Sequence, residues 1–331
     1  MYYIIVNPAS KSGKGASIWN SLEQVLKEKE IAYKVFFSQA AGHVTKLVRD
    51  LSVSLLDSDP DFVLNLIILG GDGTLNEALQ GISYFDRTQI GYIPTGSSND
   101  LARDLKLSKD PLKALERILS CEKAVSMDLG CIVYEDYAEG EPAADRLARQ
   151  FNQDMPKKKR FFAVGTGIGF DAAVCEESIS SGFKKLLNKL GLGKLTYLTI
   201  ALKQLALAKK VTCTITLDDG RILSMPRFLF VASMIHRFEG GGFKFCPDAD
   251  STDGLLDICA VGDIPKWLVL VALPTAFKGN HYRFKGIDHY LTSNLRIQTS
   301  IPLWVHTDGE VMMKSGSLSI SCEKQKLQLL L

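Results

Sequence analysis

The chain has 331 residues, of which 46% are hydrophobic and 23% charged, and a formal net charge of +2. This composition is typical of a soluble globular protein with about two domains. So small a net charge gives no reason to expect nucleic acid as a partner. The seven cysteines include no C-x-x-C pair and the five histidines are scattered, so we expect reduced thiols and no zinc site.

Neither the first residues nor the longest apolar run indicates a membrane-spanning protein. The start, MYYIIVNP, lacks the charged region and cleavage site of a signal peptide. The longest apolar run, Trp267–Phe277, contains Pro274 and is too short to cross a bilayer. We therefore expect a cytoplasmic protein that meets a membrane, if at all, from its inner surface.

The first part of the chain alternates between apolar strands and amphipathic helices. The predicted strands are Tyr2–Val6, Ala32–Phe37, Phe62–Leu69 and Ile90–Ile93, each followed by a helical pattern. Such alternation predicts an α/β fold, with a doubly wound three-layer domain over residues 1–124.

A polar loop, Asn7–Gly15, follows the first strand. It resembles a P-loop only loosely, because the G-x-x-x-x-G-K-[ST] spacing is absent. Two interpretations stay open: a wall of a phosphate pocket, or a solvated basic loop.

The turn after the third strand, Gly70–Glu77, carries three glycines and Asp72. Glycines let a phosphate approach backbone N–H groups, and open α/β sheets bind ligands at this edge. Asp72 lies among backbone amides that favour anions, so it would repel a bound phosphate unless a cation bridged the two. The turn therefore indicates nucleotide binding. The alternative is a structural turn with a capping box between Thr74 and Glu77.

A second turn of this kind, Pro94–Asp100, follows the fourth strand. Because the carboxyl ends of parallel strands meet at one edge of a sheet, the two turns are expected to face the same edge.

The pattern changes after Ala124. Predicted strands such as the alternating Val211–Leu217, and Leu295–Thr299 and Leu303–His306 further on, indicate a mostly antiparallel β-sandwich domain over residues 125–331, with the active site in the cleft between the domains. This pattern also allows the C-terminal residues to pack on the first domain. Between the strands Val125–Tyr134 and Phe161–Val164 we expect a polar excursion, Glu135–Asp154, and a basic run, Lys157–Arg160, that is more typical of a loop base than of a binding patch.

A basic and apolar segment, Phe183–Lys210, lies in a region without Asp or Glu. Such a segment suits an anionic bilayer surface. The alternative is an amphipathic helix that covers the β domain with its lysines in water.

The motifs taken together resemble the diacylglycerol kinase catalytic-domain family of lipid kinases, which is related to the sphingosine kinases. The resemblance runs in family order through nearly the whole chain. The matching pieces are Asn7-Pro8 with Ser12-Gly13, Gly70–Glu77, Pro94–Asp100, Gly169–Ala172, Pro247–Ala249 with Asp253-Gly254, and Asp308–Glu310.

The resemblance implies a role for each matching residue. Those at the ATP site would be Asn7, Ser12, Ser38, Gly70, Gly71, Asp72, Gly73, Thr74 and Ser97. Asp72 would engage the catalytic Mg²⁺, and Glu77, Asn99 and Asp100 would order the two turns. Glu310, with Asp308 beside it, would be the general base. Local sequence alone instead favours a surface hairpin turn at Asp308–Glu310.

The family also carries a structural Mg²⁺. By resemblance, Asp253 would supply its carboxylate and Asp250 and Leu255 their carbonyl groups. Three positions depart from the family pattern. Ser38 and Ser97 replace threonines and keep a hydroxyl, whereas Val164 replaces an asparagine and removes a polar group on the lipid side.

The resemblance thus implies an ATP- and Mg²⁺-dependent kinase that phosphorylates a lipid hydroxyl, with diacylglycerol as the default acceptor. One alternative is a kinase of the same fold for a sphingoid base, an isoprenoid alcohol, another lipid or NAD. Another is a non-catalytic lipid- or nucleotide-binding regulator. The implied partners are a lipid substrate and a membrane surface, and a homodimer stays open.

Overall fold

Four parallel strands built from apolar runs form the centre of the first half of the chain. The computed structural model describes residues 1–136, 159–180, 193–209 and 211–331. The strands are β1 (Tyr2–Val6), β2 (Tyr33–Phe37), β3 (Leu64–Gly70) and β4 (Thr88–Pro94). Their order is β2-β1-β3-β4 and every pairing is parallel, so their carboxyl ends share one edge.

Helices cover both faces of this sheet. Along β1, Ile4 and Val6 point to one face and Ile5 to the other, as the period of a strand requires. The first face packs against α1 (Gly15–Glu28) and α5 (Pro111–Leu119), and the second against α2 (His43–Leu56) and α3 (Asp72–Gly81). A short helix, α4 (Asp100–Asp104), follows the turn after β4. The predicted three-layer arrangement is confirmed.

The second half is rich in strands, as predicted. These strands are β5 (Val125–Tyr134), β6 (Lys159–Phe162), β7 (Gly165–Gly169), β8 (Val211–Leu217), β9 (Ile222–Met234), β10 (Leu256–Gly262), β11 (Ile287–Thr292), β12 (Asn294–Thr307) and β13 (Glu310–Leu330). The helices are α6 (Phe170–Ser180), α7 (Gly193–Leu207) and α8 (Lys266–Ala276), with a 3-10 turn at His281–Arg283, and a 3-10 turn at Phe85–Arg87 precedes β4 in the first half. Pairings among these strands are antiparallel.

Several predicted strands are parts of longer ones. Leu295–Thr299 and Leu303–His306 belong to the single strand β12, because a register shift between Gln298 and Leu303 breaks the alternation without ending the strand. The helix α8 and the strand β11 have no counterpart in the sequence analysis. Since α8 is apolar almost throughout, its sequence lacks the period that marks a surface helix.

The last strand joins the two halves. Gln328, Leu329 and Leu330 of β13 pair in parallel with Gln89, Ile90 and Gly91 of β4. The C-terminal residues therefore do pack on the first domain, and they extend its sheet by one strand. The boundary at residue 124 stays a prediction.

Some predicted features lie outside the described residues. These are most of the Glu135–Asp154 excursion, the start of the Lys157–Arg160 run, and Phe183–Leu192 with Lys210 from the basic apolar segment. All seven cysteines are free. In the described ranges, no helix has both the length and the hydropathy needed to cross a membrane.

Candidate active site

The glycine turn after β3 leads directly into α3. Gly71 is the N-cap and Asp72 the first helical residue. Thr74 therefore lies inside the helix, where its Oγ1 accepts a hydrogen bond from Asn7 Nδ2 at 3.0 Å. The alternative interpretation, a Thr74–Glu77 capping box, is wrong, because Glu77 accepts from Val44 N (3.2 Å) at the start of α2. Asn7 thus fastens the loop after β1 to the glycine turn.

The turn after β4 lies against the glycine turn, as expected for neighbouring parallel strands. A Cβ on Gly71 would stand 3.0 Å from Gly96 Cα, so only glycine allows this approach. Asn99 has a left-handed φ of 49° and closes the second turn. Its Oδ1 accepts from Gly96 N (2.9 Å) and its Nδ2 donates to Gly96 O (2.8 Å).

A tight hairpin brings carboxylates of the second half to the same place. Asp308 and Gly309 join β12 to β13 with φ of 51° and 82°, the left-handed pair of a type I′ turn. The Glu310 carboxylate then packs directly on Gly73, where a Cβ would overlap Glu310 Oε1. The hairpin interpretation and the site interpretation of Asp308–Glu310 are therefore compatible, and Glu310 meets the residue next to Asp72.

Backbone donors hold Asp308 in this position. Its Oδ1 accepts from Val164 N (2.8 Å) and Gly165 N (3.1 Å), and its Oδ2 from Ala163 N (3.0 Å). The side chain of Val164 is buried in the core, so at this position the backbone rather than the side chain contacts the site. A fourth donor, Asn76 Nδ2, reaches Asp308 Oδ2 from α3 at 2.9 Å.

Asn76 and Arg160 bridge the two halves; the sequence analysis gave Asn76 no role and predicted a loop base at Arg160, which instead lies in β6. Asn76 is fully buried, and its Oδ1 accepts from Arg160 Nη2 at 2.7 Å. Arg160 Nε also donates to Thr307 Oγ1 (3.2 Å), just before the hairpin turn. Asn76 was visible as part of the Gly70–Glu77 motif, but its bridging contacts, which are distant in sequence, were not.

We predict that Asn76→Ala lowers the free energy of unfolding by about 2–4 kcal/mol. The substitution removes one donor from Asp308 and removes the acceptor of Arg160 Nη2, and buried unpaired groups are costly. Urea unfolding followed by tryptophan fluorescence measures the change. Gln24→Ala, which removes an exposed side-chain pair on α1, is the matched control and should change stability by less than ~0.5 kcal/mol. Equal stability of the two variants would contradict the bridging role.

Asp72 lies in an electrostatically unfavourable position. Burial, followed by the charges of Asp100 and Asp308, raises the pKa of Asp72 to about 7, although backbone N–H groups of Asp100 and Asn99 oppose the shift. Its Oδ1 is buried and has no hydrogen-bond partner among the described residues. A cation at this oxygen would satisfy it and restore the ionised carboxylate.

Asp100 and Asp104 attach α4 to a loop of the second half. Asp100 accepts from Arg103 Nη1 (2.5 Å) and from Gly241 N (3.0 Å). Asp104 binds His236 Nδ1 (2.8 Å) and Arg237 Nε (2.7 Å). Burial raises the pKa of Asp100, and the Gly241 N–H and Arg103 oppose that rise. The turn that carries Asn99 and Asp100 is therefore fixed from both halves.

A buried histidine, His306, contacts the backbone of the hairpin turn. Gly309 N donates to His306 Nδ1 at 3.2 Å, so we assign the proton to Nε2. Nε2 lies 3.3 Å from Asp171 Oδ2 and 3.2 Å from Glu239 Oε1. Asp171 belongs to a motif seen in the sequence, whereas His306 and Glu239 carried no signal.

The remaining predicted ATP-site residues lie at the same sheet edge. Ser12 is exposed in the loop after β1, with a left-handed φ of 58°. Ser38 directly follows β2 and donates its backbone N–H to Val6 O (2.9 Å), and Ser97 is exposed in the turn after β4. Their use by ATP stays a prediction.

The predicted structural metal loop directly precedes β10. Asp253 Oδ1 accepts from Leu255 N (2.8 Å), and Asp250 Oδ1 from Thr252 N (3.0 Å). Burial and the charges of Asp250, Asp257 and Asp128 raise the pKa of Asp253, against the Leu255 N–H. No three His, Cys, Asp or Glu side chains in the described part of the chain are grouped closely enough to hold a metal.

Two family models match most of the chain. The model described as "Diacylglycerol kinase catalytic domain" matches residues 1–132, and "YegS C-terminal NAD kinase beta sandwich-like domain" matches residues 167–331. A Bacillus subtilis protein named "Putative lipid kinase YtlR" is 27% identical over 94% of this chain and 93% of its own. A Bacillus subtilis "Diacylglycerol kinase" is 25% identical over 93% of this chain and 88% of its own.

A solved structure has the same fold. A crystal structure from Bacillus anthracis str. Sterne superposes with a TM-score of 0.70 over 99% of this chain and 94% of the other, at 20% identity. The chain belongs to the diacylglycerol kinase catalytic-domain family of lipid kinases. The resemblance noted in the sequence is thereby confirmed.

Proposed function

We propose that this enzyme transfers the γ-phosphate of ATP to the hydroxyl of diacylglycerol and so forms phosphatidic acid. The contact between Glu310 and Gly73 carries the proposal. It places a carboxylate of the second half beside the glycine turn of the first, where phosphates would meet backbone N–H groups. Phosphoryl transfer requires these two parts within reach of each other.

The residues divide the chemistry between them. Glu310 accepts the proton of the lipid hydroxyl as the oxygen attacks the γ-phosphorus and ADP leaves. Asp308, held by three backbone N–H groups and Asn76, fixes the turn that carries Glu310. Asn7, Gly71, Gly73 and Thr74 line the phosphates together with the loops that carry Ser12, Ser38 and Ser97.

The residues present fit a catalytic Mg²⁺. Asp72 would hold it, because the buried Oδ1 of Asp72 lacks a partner among the described residues and oxygen is the preferred ligand of this ion. Bound with ATP, Mg²⁺ would neutralise part of the phosphate charge. We also infer the second, structural Mg²⁺ at Asp253 with the carbonyl groups of Asp250 and Leu255, a set of oxygen donors.

The acceptor places the enzyme at a membrane. We infer a cytoplasmic protein bound to the inner face of the bilayer through Phe183–Lys210, of which residues 193–209 are described and form α7 and the residues after it. The absence of Asp and Glu from that segment supports this inference.

Labelled ATP offered with separate lipids tests the function. The acceptors are diacylglycerol, a sphingoid base, an isoprenoid alcohol and NAD, and the products are separated by thin-layer chromatography. We expect Mg²⁺-dependent label in phosphatidic acid above the label in every other product. Stronger labelling of another acceptor would contradict the choice of diacylglycerol. Binding of ATP without transfer to any acceptor would favour the non-catalytic regulator.

A further inference from the structure

The helix α8 exposes an apolar stripe. At 100° per residue, positions 267, 270, 271, 274 and 278 share one face. On that face Trp267, Leu270 and Val271 are 66%, 40% and 51% exposed, while Val269, Ala272 and Ala276 on the opposite face are buried. Large side chains at such exposure are costly in water, and contiguous ones mark a docking surface.

The stripe continues onto α7. Lys266 Nζ donates to Ala206 O and Ala208 O, both at 2.9 Å, so the start of α8 is fixed to the end of α7. Leu207 lies between these two acceptors and is 62% exposed. Leu207 and the α8 stripe thus belong to one surface, which we call the α8 face.

Positive charge surrounds the α8 face. Neither residues 264–287 nor residues 193–209 contain an Asp or Glu. Asp263, next to the first of these ranges, is paired with Arg227 (2.8 Å), and Glu177 is paired with Lys203 (2.6 Å), while the exposed Asp288 directly follows Ile287. Among the side chains that the structure describes, the exposed cations of these two ranges besides the paired Lys203 are Lys209, Lys266, Lys278, Arg283 and Lys285. An apolar surface with a cationic border is complementary to anionic lipid headgroups over acyl chains.

The α8 face also lies beside the candidate active site. Phe277, directly after α8, stacks on Phe243 with ring centroids 4.0 Å apart. Phe243 closes the loop in which Gly241 N donates to Asp100. A surface bound to the α8 face would therefore lie next to the loop that fixes the Asn99–Asp100 turn.

We propose that the α8 face docks the enzyme on an anionic bilayer, an inference that rests on the proposed lipid substrate. Trp267 would enter the interface between headgroups and acyl chains, where indole rings are favoured. Leu270, Val271 and Leu207 would insert beside it, and the surrounding lysines would contact the headgroups. Each large apolar side chain that leaves water changes partitioning by roughly tenfold or more.

Sedimentation with phosphatidylglycerol–phosphatidylcholine vesicles tests the proposal. We expect the double variant Trp267→Ser, Val271→Ser to bind at least ~10-fold more weakly than the wild type. Its fold should be intact, because both side chains point away from the core. Ile222→Ser is the matched control, since Ile222 is 68% exposed on β9, and it should bind within about twofold of the wild type. Pure phosphatidylcholine vesicles should bind the wild type less well.

The binding readout is independent of the acceptor. If the wild type transfers no phosphate to diacylglycerol, the proposed function fails, yet vesicle binding still reports on the α8 face. Unchanged vesicle binding by the double variant would overturn the docking proposal. A double variant that binds vesicles normally but elutes as a smaller species than the wild type would overturn it in favour of a second copy on this face.

Discussion

Replacing Glu310 by Gln should lower turnover by roughly 10²–10⁴-fold, the usual contribution of a positioned general base. The substitution keeps the size of the side chain and its packing on Gly73, but an amide cannot take the proton of an incoming hydroxyl. Steady-state kinetics with labelled ATP measure the effect. The KM for ATP should change little, because glutamine retains the packing of the side chain on Gly73.

The control for this variant is Glu122→Gln, an exposed glutamate just before β5. It should retain wild-type turnover and stability. Turnover of Glu310→Gln within a few-fold of the control would exclude Glu310 as the base and leave it a packing residue.

Replacing Asp72 by Asn should lower turnover at least as much as Glu310→Gln does, because a neutral amide cannot replace the charge of a carboxylate at a metal. The same change should raise stability. Burial and the charges of Asp100 and Asp308 raise the pKa of Asp72 to about 7, so the ionised form is disfavoured in the fold. Near-normal turnover of the folded variant would reject the metal-binding role.

The pKa of Asp72 determines how the stability of the protein depends on pH. The carboxyl of Asp72 has its usual pKa of 3.8 in the unfolded chain but a pKa of about 7 in the fold. The free energy of unfolding of the wild type therefore declines as the pH rises between these two values. In metal-free buffer, Asp72→Asn should gain on the order of 2–4 kcal/mol over the wild type at pH 8. That gain should shrink toward pH 5. Urea unfolding at both pH values measures it.

The first half of the fold was predictable because its signals are local. Phe62–Leu69 is a continuous apolar run, and Val44 and Val48 fall on one helical face, so the element types follow from residues close in sequence. The second half depends on long strands with register shifts, such as that between Glu323 and Leu327 of β13. At each shift the alternation fails, and a pattern search then ends the strand too early.

The candidate site was predictable only in part. Its glycine turns and the Asp308–Glu310 turn are short motifs, and the structure brings them together. The local sequence around Glu77 also fitted a capping box, the alternative interpretation, because its actual partner Val44 lies 33 residues away. Asn76 and His306 act through contacts that local sequence does not report, such as the hydrogen bond between Asn76 and Asp308.

The pairing of β13 with β4 constrains how the protein is made. Until residues 328–330 have left the ribosome, β4 presents an open edge to the cell, and such edges recruit other chains. The sheet of the nascent first domain is therefore incomplete until residues 328–330 are available. A gene fragment that ends near residue 124 would therefore yield an aggregation-prone product rather than an isolated nucleotide-binding unit.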